Sequence, residues 1–154
     1  MQDFKYKYEK LLKNKLKFEE TVKNECLMIK RELDLERIKL VISQDKEKEL
    51  QRELLSKRAA GNPGGGANDL TQYHKYLIYL SEFISRKKEE IKLLEKKLEL
   101  KQAELVDAMR DTKTFEKLKT KEKSRYEMIV TAEEQKVNDS SALFRYKTQM
   151  IGLN

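Results

Sequence analysis

Apolar side chains recur at alternating steps of four and three through the second half of this sequence. Positions 73, 77, 80, 84, 87, 91, 94, 98, 101, 105, 108, 112 and 115 read Tyr, Leu, Leu, Ile, Lys, Ile, Leu, Leu, Lys, Leu, Ala, Thr and Phe. Ten of these thirteen are apolar, so the segment predicts a long helix that buries one edge against another helix. The first half carries a rougher series: Phe4, Tyr8, Leu11, Phe18, Val22, Cys26, Ile29, Leu33, Leu40, Leu50 and Leu54. Its four-residue step from Val22 to Cys26 departs from strict heptads and predicts a local unwinding of the supercoil. Cys26 reads as a small seam residue rather than a nucleophile. No run alternates with the period of a strand.

One segment interrupts the helical pattern, Gly61-Asn62-Pro63-Gly64-Gly65-Gly66-Ala67-Asn68-Asp69. Gly61 follows Lys57-Arg58-Ala59-Ala60, as a left-handed glycine closing a helix would, and Pro63 blocks continuation. Asp69 offers an N-cap, with Gln72 as its capping-box partner. The fold class predicted is all-α: a long antiparallel two-helix coiled-coil hairpin, one domain over residues 1–154. Its first helix runs over about 4–60, its tip over 61–69, and its second helix over about 70–137 with an extension to 150. With Arg58 opposite Leu70, paired positions sum to about 128. The second helix then outruns the first by about 25 residues, an overhang of roughly 40 Å. That overhang keeps an apolar stripe of Tyr126, Ile129, Val130, Val137, Leu143, Phe144 and Met150. Asn138-Asp139-Ser140-Ser141 reads as a break or a fresh N-cap within it. A glycine phosphate loop is excluded, because no Gly-Lys-Ser/Thr follows and no strand precedes.

Composition agrees with thin helical pairing rather than a thick core: charged residues are 40% of the chain, hydrophobic ones 38%, and there is one Pro. The net charge is +7, and it is clustered. Residues 1–17 hold six Lys against Asp3 and Glu9; residues 110–125 hold seven basic residues against Asp111, Glu116 and Glu122. The expected register brings both clusters to the open end, where like charges cost stability unless compensated. Such charge suits a solvated helix face, or attracts an acidic protein, a membrane surface or nucleic acid. Near the tip the second helix has more apolar residues than one seam needs. Tyr76, Tyr79 and Phe83, with Leu80 at the edge, form an off-seam aromatic patch of the kind that anchors protein partners. His74 beside it has no metal-spaced companion, and no catalytic set can be assembled; no enzyme activity, cofactor or metal is expected. The opening MQDFKYKYEK lacks the apolar core of a secretory signal, and no apolar run reaches membrane-spanning length. A cytoplasmic protein is expected.

The order of features resembles the FliJ family, coiled-coil components of the bacterial flagellar type III export apparatus related to YscO-type injectisome proteins. The likeness opens with Phe4, Tyr6, Tyr8, Glu9, Leu11 and Leu12 and continues at Tyr73-His74-Lys75-Tyr76-Leu77. Its longest stretch is Ala103-Glu104-Leu105-Val106-Asp107-Ala108-Met109-Arg110-Asp111, then Lys113 and Phe115-Glu116-Lys117-Leu118-Lys119, followed by Glu134-Gln135-Lys136 and Asp139. The resemblance implies a shape similar to the shaft of the rotary ATP synthase gamma subunit. It implies insertion into a hexameric export ATPase ring, a link to the cytoplasmic domain of the export gate, and engagement of export chaperones. By position, the gate-binding residues fall on Tyr76, Leu80 and Phe83, with Tyr79 in the same patch. The ring would take the open end: Lys13, Lys17, Lys117, Lys121, Tyr126, Ile129 and Val130. Membrane association would be peripheral, through partners at the flagellar base, and the process served is motility and chemotaxis. Two alternatives remain on the residues alone. A nucleic-acid-binding coiled coil is suggested by the charge but opposed by the interleaving of both signs, so no nucleic acid is expected. A prefoldin-type chaperone subunit would need strands at its base.

Overall fold

The computed structural model describes residues 4–61 and 67–152. It contains two helices, α1 (Glu9–Ala59) and α2 (Ala67–Ile151), packed against each other as an all-α helical hairpin. No strand occurs among the described residues. α1 ends as its sequence dictates. Lys57 and Arg58 occupy the last turn, and Gly61 takes a left-handed φ of 57° that a side chain would resist. The rest of the expected glycine tip, residues 62–66, lies outside the described residues. α2 starts three residues earlier than its expected beginning at 70, so Asp69 sits inside the first turn and is not the N-cap. Its carboxylate still favours the partial positive charge of that helix end.

The chain divides into two compact units, residues 20–106 and residues 1–19 with 107–154. In the first of these, Val22, Cys26, Ile29, Leu33 and Leu54 of α1 are buried, as are Leu80, Ile84 and Ile91 of α2. Leu77, Leu94, Leu98 and Leu105 are half-buried at the intervening α2 seam positions. Three ion pairs cross between the helices: Glu25 with Lys101 at 2.7 Å, Glu36 with Lys87 at 2.8 Å, and Arg37 with Glu95 at 2.7 Å. Their residue numbers sum close to the 128 expected from the tip. Lys87 and Lys101, the two charged members of the α2 heptad series, therefore enter the seam with carboxylates to meet them. Lys87 also contacts Glu90, and Glu36 also contacts Lys39. The ammonium groups of Lys39 and Lys87 hold the Glu36 carboxyl below the usual carboxylate range, and Glu36 and Glu90 push the Lys87 ammonium up.

In the other unit, Tyr6, Leu12, Ala108 and Thr112 are buried. Here the expected α1 seam is wrong. Tyr8, Leu11 and Phe18 are exposed, whereas Leu12, Lys15 and Glu19 turn inward. An apolar count misses this because two of the seam positions are charged. Their alkyl stems cover the seam while the heads reach its edge, and Lys15 pairs with Asp111 at 2.6 Å. With Glu19 in place of Phe18, α1 steps by three and four from Leu12 through Val22 and Cys26 to Leu54. The step from Val22 to Cys26 is then an ordinary member of the series, and the expected unwinding does not arise. Thr112 is satisfied inside the seam by donating to the Ala108 carbonyl at 3.1 Å.

The expected break at Asn138–Ser141 is also absent, since α2 runs through it to Ile151. Ser140 donates to the Lys136 carbonyl at 2.6 Å and Ser141 to the Val137 carbonyl at 2.9 Å. Turned back onto their own helix, these hydroxyls no longer compete with it from outside. Residues 131–152 are exposed along their whole length.

Two neighbouring leucines test the corrected seam. Leu12 is 5% exposed and Leu11 is 41% exposed. Leu12→Ala should cost about 2–3 kcal/mol and Leu11→Ala less than about 1 kcal/mol in urea unfolding; the reverse order would restore the apolar-count seam. The Glu36–Lys87 pair makes a pH prediction. A carboxyl whose pKa is lowered by folding adds stability at neutral pH that is lost as pH falls through its folded value. The stability gap between the parent and Glu36→Gln should therefore be constant near neutrality and close in acid. On the alkaline side it should persist until pH rises past the ordinary lysine range into that of the raised Lys87.

Candidate functional site

Tyr76, Tyr79 and Phe83 follow one another along α2 at steps of three and four, which places them on one helix face. The rings stack in series, Tyr76 on Tyr79 at 6.3 Å between centroids and Tyr79 on Phe83 at 6.5 Å, with interplanar angles of 19° and 27°. A cation closes each end: the Lys46 ammonium lies 5.6 Å from the Tyr76 ring centroid, and the Lys87 ammonium 5.6 Å from that of Phe83. These contacts restrain the rings before any partner arrives, so docking on them would cost little side-chain entropy. Hydrogen bonding to Tyr76 pushes the Lys46 pKa up.

Leu80 does not share this surface. Its sequence position places it both in the heptad series and at the patch edge; it is 5% exposed and points into the seam, while its neighbour Tyr79 is 55% exposed. The helical period decides the difference: Leu77, Leu80 and Ile84 form the seam edge, and the three rings stand on the flank beside it. Leu80 anchors the helix from beneath and can contact a partner only indirectly. Nearer the tip, Lys57 donates to the Tyr73 hydroxyl at 2.6 Å. Arg58 and His74 meet at 2.8 Å, and because a guanidinium has only donors, His74 Nε2 accepts.

The residues expected at the other docking surface belong to the unit that contains both basic clusters. Lys13, Lys17, Lys117 and Lys121 are exposed. Lys13 lines a groove with Phe4, Tyr6, Lys10 and Lys119, whereas Lys117 and Lys121 line another with Lys113, Glu116 and Thr120. Lys13 and the pair Lys117 and Lys121 thus line different grooves. Their mutual repulsion is offset between the helices, where Glu9 pairs with Lys119 at 2.7 Å and Asp111 with Lys15. Tyr126, Ile129 and Val130 line an open groove with Glu133, Glu134, Val137 and Asn138. Tyr126 is half-buried because Phe4 packs on it at 5.7 Å.

Sequence reasoning missed Tyr6. It precedes α1, is buried, and donates its hydroxyl to the Phe115 carbonyl at 3.2 Å. Burial, then the charge of Glu122, pushes its phenol pKa up, so the donor is retained well into alkali. Its carbonyl also accepts the Glu9 N–H at 3.2 Å, which satisfies one of the unbonded donors at the start of α1. A tyrosine two positions before another tyrosine gave no periodic signal to mark this role.

Among the described residues no cluster of His, Cys, Asp and Glu could hold a metal ion, and no helix is long and apolar enough to cross a membrane. The family model for the flagellar FliJ protein matches residues 4–150. The chain belongs to the flagellar FliJ family. FliJ proteins are non-enzymatic components of flagellar protein export, so the resemblance noted in the sequence holds over nearly the whole chain. No curated protein and no solved structure matches it. In this FliJ-family chain the aromatic ladder, with Tyr79 exposed and Phe83 half-buried, and the exposed end of α2 are two of the apolar surfaces that hairpin packing leaves outside the seam.

Adjacent residues again separate support from surface. Leu80→Ala should lower unfolding stability by about 2–4 kcal/mol, and Tyr79→Ala by less than about 1 kcal/mol, in thermal or urea melts. Equal losses would mean that Tyr79 is held in the core.

Proposed function

We propose that this chain is the adaptor stalk of the flagellar type III export ATPase complex, joining the hexameric ATPase ring to the cytoplasmic domain of the export gate. The carrying observation is the pre-stacked ladder of Tyr76, Tyr79 and Phe83, in which the two tyrosines are exposed and Phe83 is half-buried. Apolar rings with the Lys46 ammonium at one end suit a partner with an apolar pocket and an acidic group at its rim. In this reading the gate is held by Tyr76, Tyr79 and Phe83, while Leu80 positions them from within. The ring takes Lys13, Lys17, Lys117 and Lys121 together with Tyr126, Ile129 and Val130, combining charge steering with an apolar stripe. The ATPase performs the catalysis, and the adaptor contributes binding alone. It works in the cytoplasm, reaches the inner face of the membrane only through its partners, and meets export chaperones there. Exposed helix between residues 131 and 152 supports a partner-binding role, since a single helix of this length is marginal in water unless its apolar face is covered.

Changing Tyr76, Tyr79 and Phe83 together to Ala should abolish capture of the gate's cytoplasmic domain, with helicity by circular dichroism unchanged. Deleting residues 126–154 should weaken binding to the ATPase ring and leave gate capture intact. Gate binding that survives the triple substitution would remove the ladder from the interface, and undiminished ring binding by the truncated chain would remove the C-terminal segment.

A further inference from the structure

We propose that residues 130–151 of α2 pair with the same residues of a second copy of this chain, running antiparallel. Val130, Val137, Phe144 and Ile151 recur at seven-residue intervals, with Glu134, Ser141 and Thr148 between them. The steps alternate four and three, which is a seam of the same kind that joins α1 to α2. It lies in the exposed part of α2, with Val137 63%, Phe144 72% and Ile151 78% exposed.

Three features select a second copy, and an antiparallel one. The row is close to symmetric about Ser141: reversed, Val130 meets Ile151, Val137 meets Phe144, and Ser141 meets its own counterpart. The small residue at the centre allows close approach of the two backbones. The hydroxyls there are already satisfied, Ser141 by the Val137 carbonyl and Thr148 by the Phe144 carbonyl at 2.9 Å. They can leave water at little cost. Charge is divided in the matching sense. Residues 130–139 hold Glu133, Glu134 and Asp139 against Lys136, and residues 142–151 hold Arg145 and Lys147. An antiparallel pair brings Glu134 beside Lys147 twice, whereas a parallel pair would set like charges together. The paired length is about 33 Å per helix. The area covered is on the order of 1,000 Å², the lower end for a specific interface, so the dimer is weak and reversible.

The test uses the full chain without any ATPase, so its outcome is independent of the ring reading. Sedimentation equilibrium should give a concentration-dependent monomer–dimer mixture that Phe144→Glu makes monomeric. Glu134→Lys and Lys147→Glu should each weaken the dimer roughly tenfold, and the double exchange should restore it, with helicity constant throughout. In a Cys26→Ala background, mixed Val137→Cys and Phe144→Cys chains should form the mixed disulfide under mild oxidation. A monomer at every concentration, a dimer indifferent to Phe144→Glu, no recovery in the double exchange, or a disulfide joining two Val137→Cys chains in place of the mixed one would each overturn the proposal.

Discussion

Pairing of α1 with α2 along a row of side chains that advances by three and four residues is the contact on which the rest depends. Each helix is highly charged and too poor in apolar residues to build a core with more than one buried edge. Burial of Val22, Ile29, Leu33 and Leu54 with Leu80, Ile84 and Ile91 supplies the cohesion. The glycine at the end of α1 directs the chain back so that the two edges can meet. All surfaces available to partners follow from this pairing, because a side chain outside the two edges has nothing within the hairpin to cover it.

The seam is interrupted by charge in a regulated way. Lys87 and Lys101 occupy core positions of the repeat, and each finds a carboxylate from the opposite helix. An all-leucine edge would pair in several registers and in either direction, while a lysine in the seam accepts only alignments that bring Glu36 or Glu25 to it. Alignment also decides which side chains share a surface. Sliding one helix by a heptad would move the Lys46 ammonium away from Tyr76 and alter the face that carries the aromatic ladder.

Among the apolar residues left outside the seam, the ladder and the end of α2 differ in what holds them. The ladder is restrained by ring stacking and two lysines, so it is a preformed surface. The end of α2 has only its own backbone hydrogen bonds and side-chain hydroxyls to hold it, so its stability as a helix is linked to whatever covers it. This FliJ-family chain thus carries a preformed aromatic surface and a separate exposed apolar stripe on the same helix.

Local chemistry alone determined much of this. The tip at Gly61, the thirteen-position edge of α2, the antiparallel register and the unpartnered end of α2 were all legible, because heptad spacing and a helix-closing glycine act over a few residues. Two things were settled only by tertiary structure. The α1 edge near its start runs through Leu12, Lys15 and Glu19 instead of Leu11 and Phe18, since charged residues can occupy a seam when the opposite helix answers them. Tyr6 reaches the Phe115 carbonyl across more than a hundred residues of sequence, and no local pattern encodes a contact whose two halves meet only after the chain has folded back.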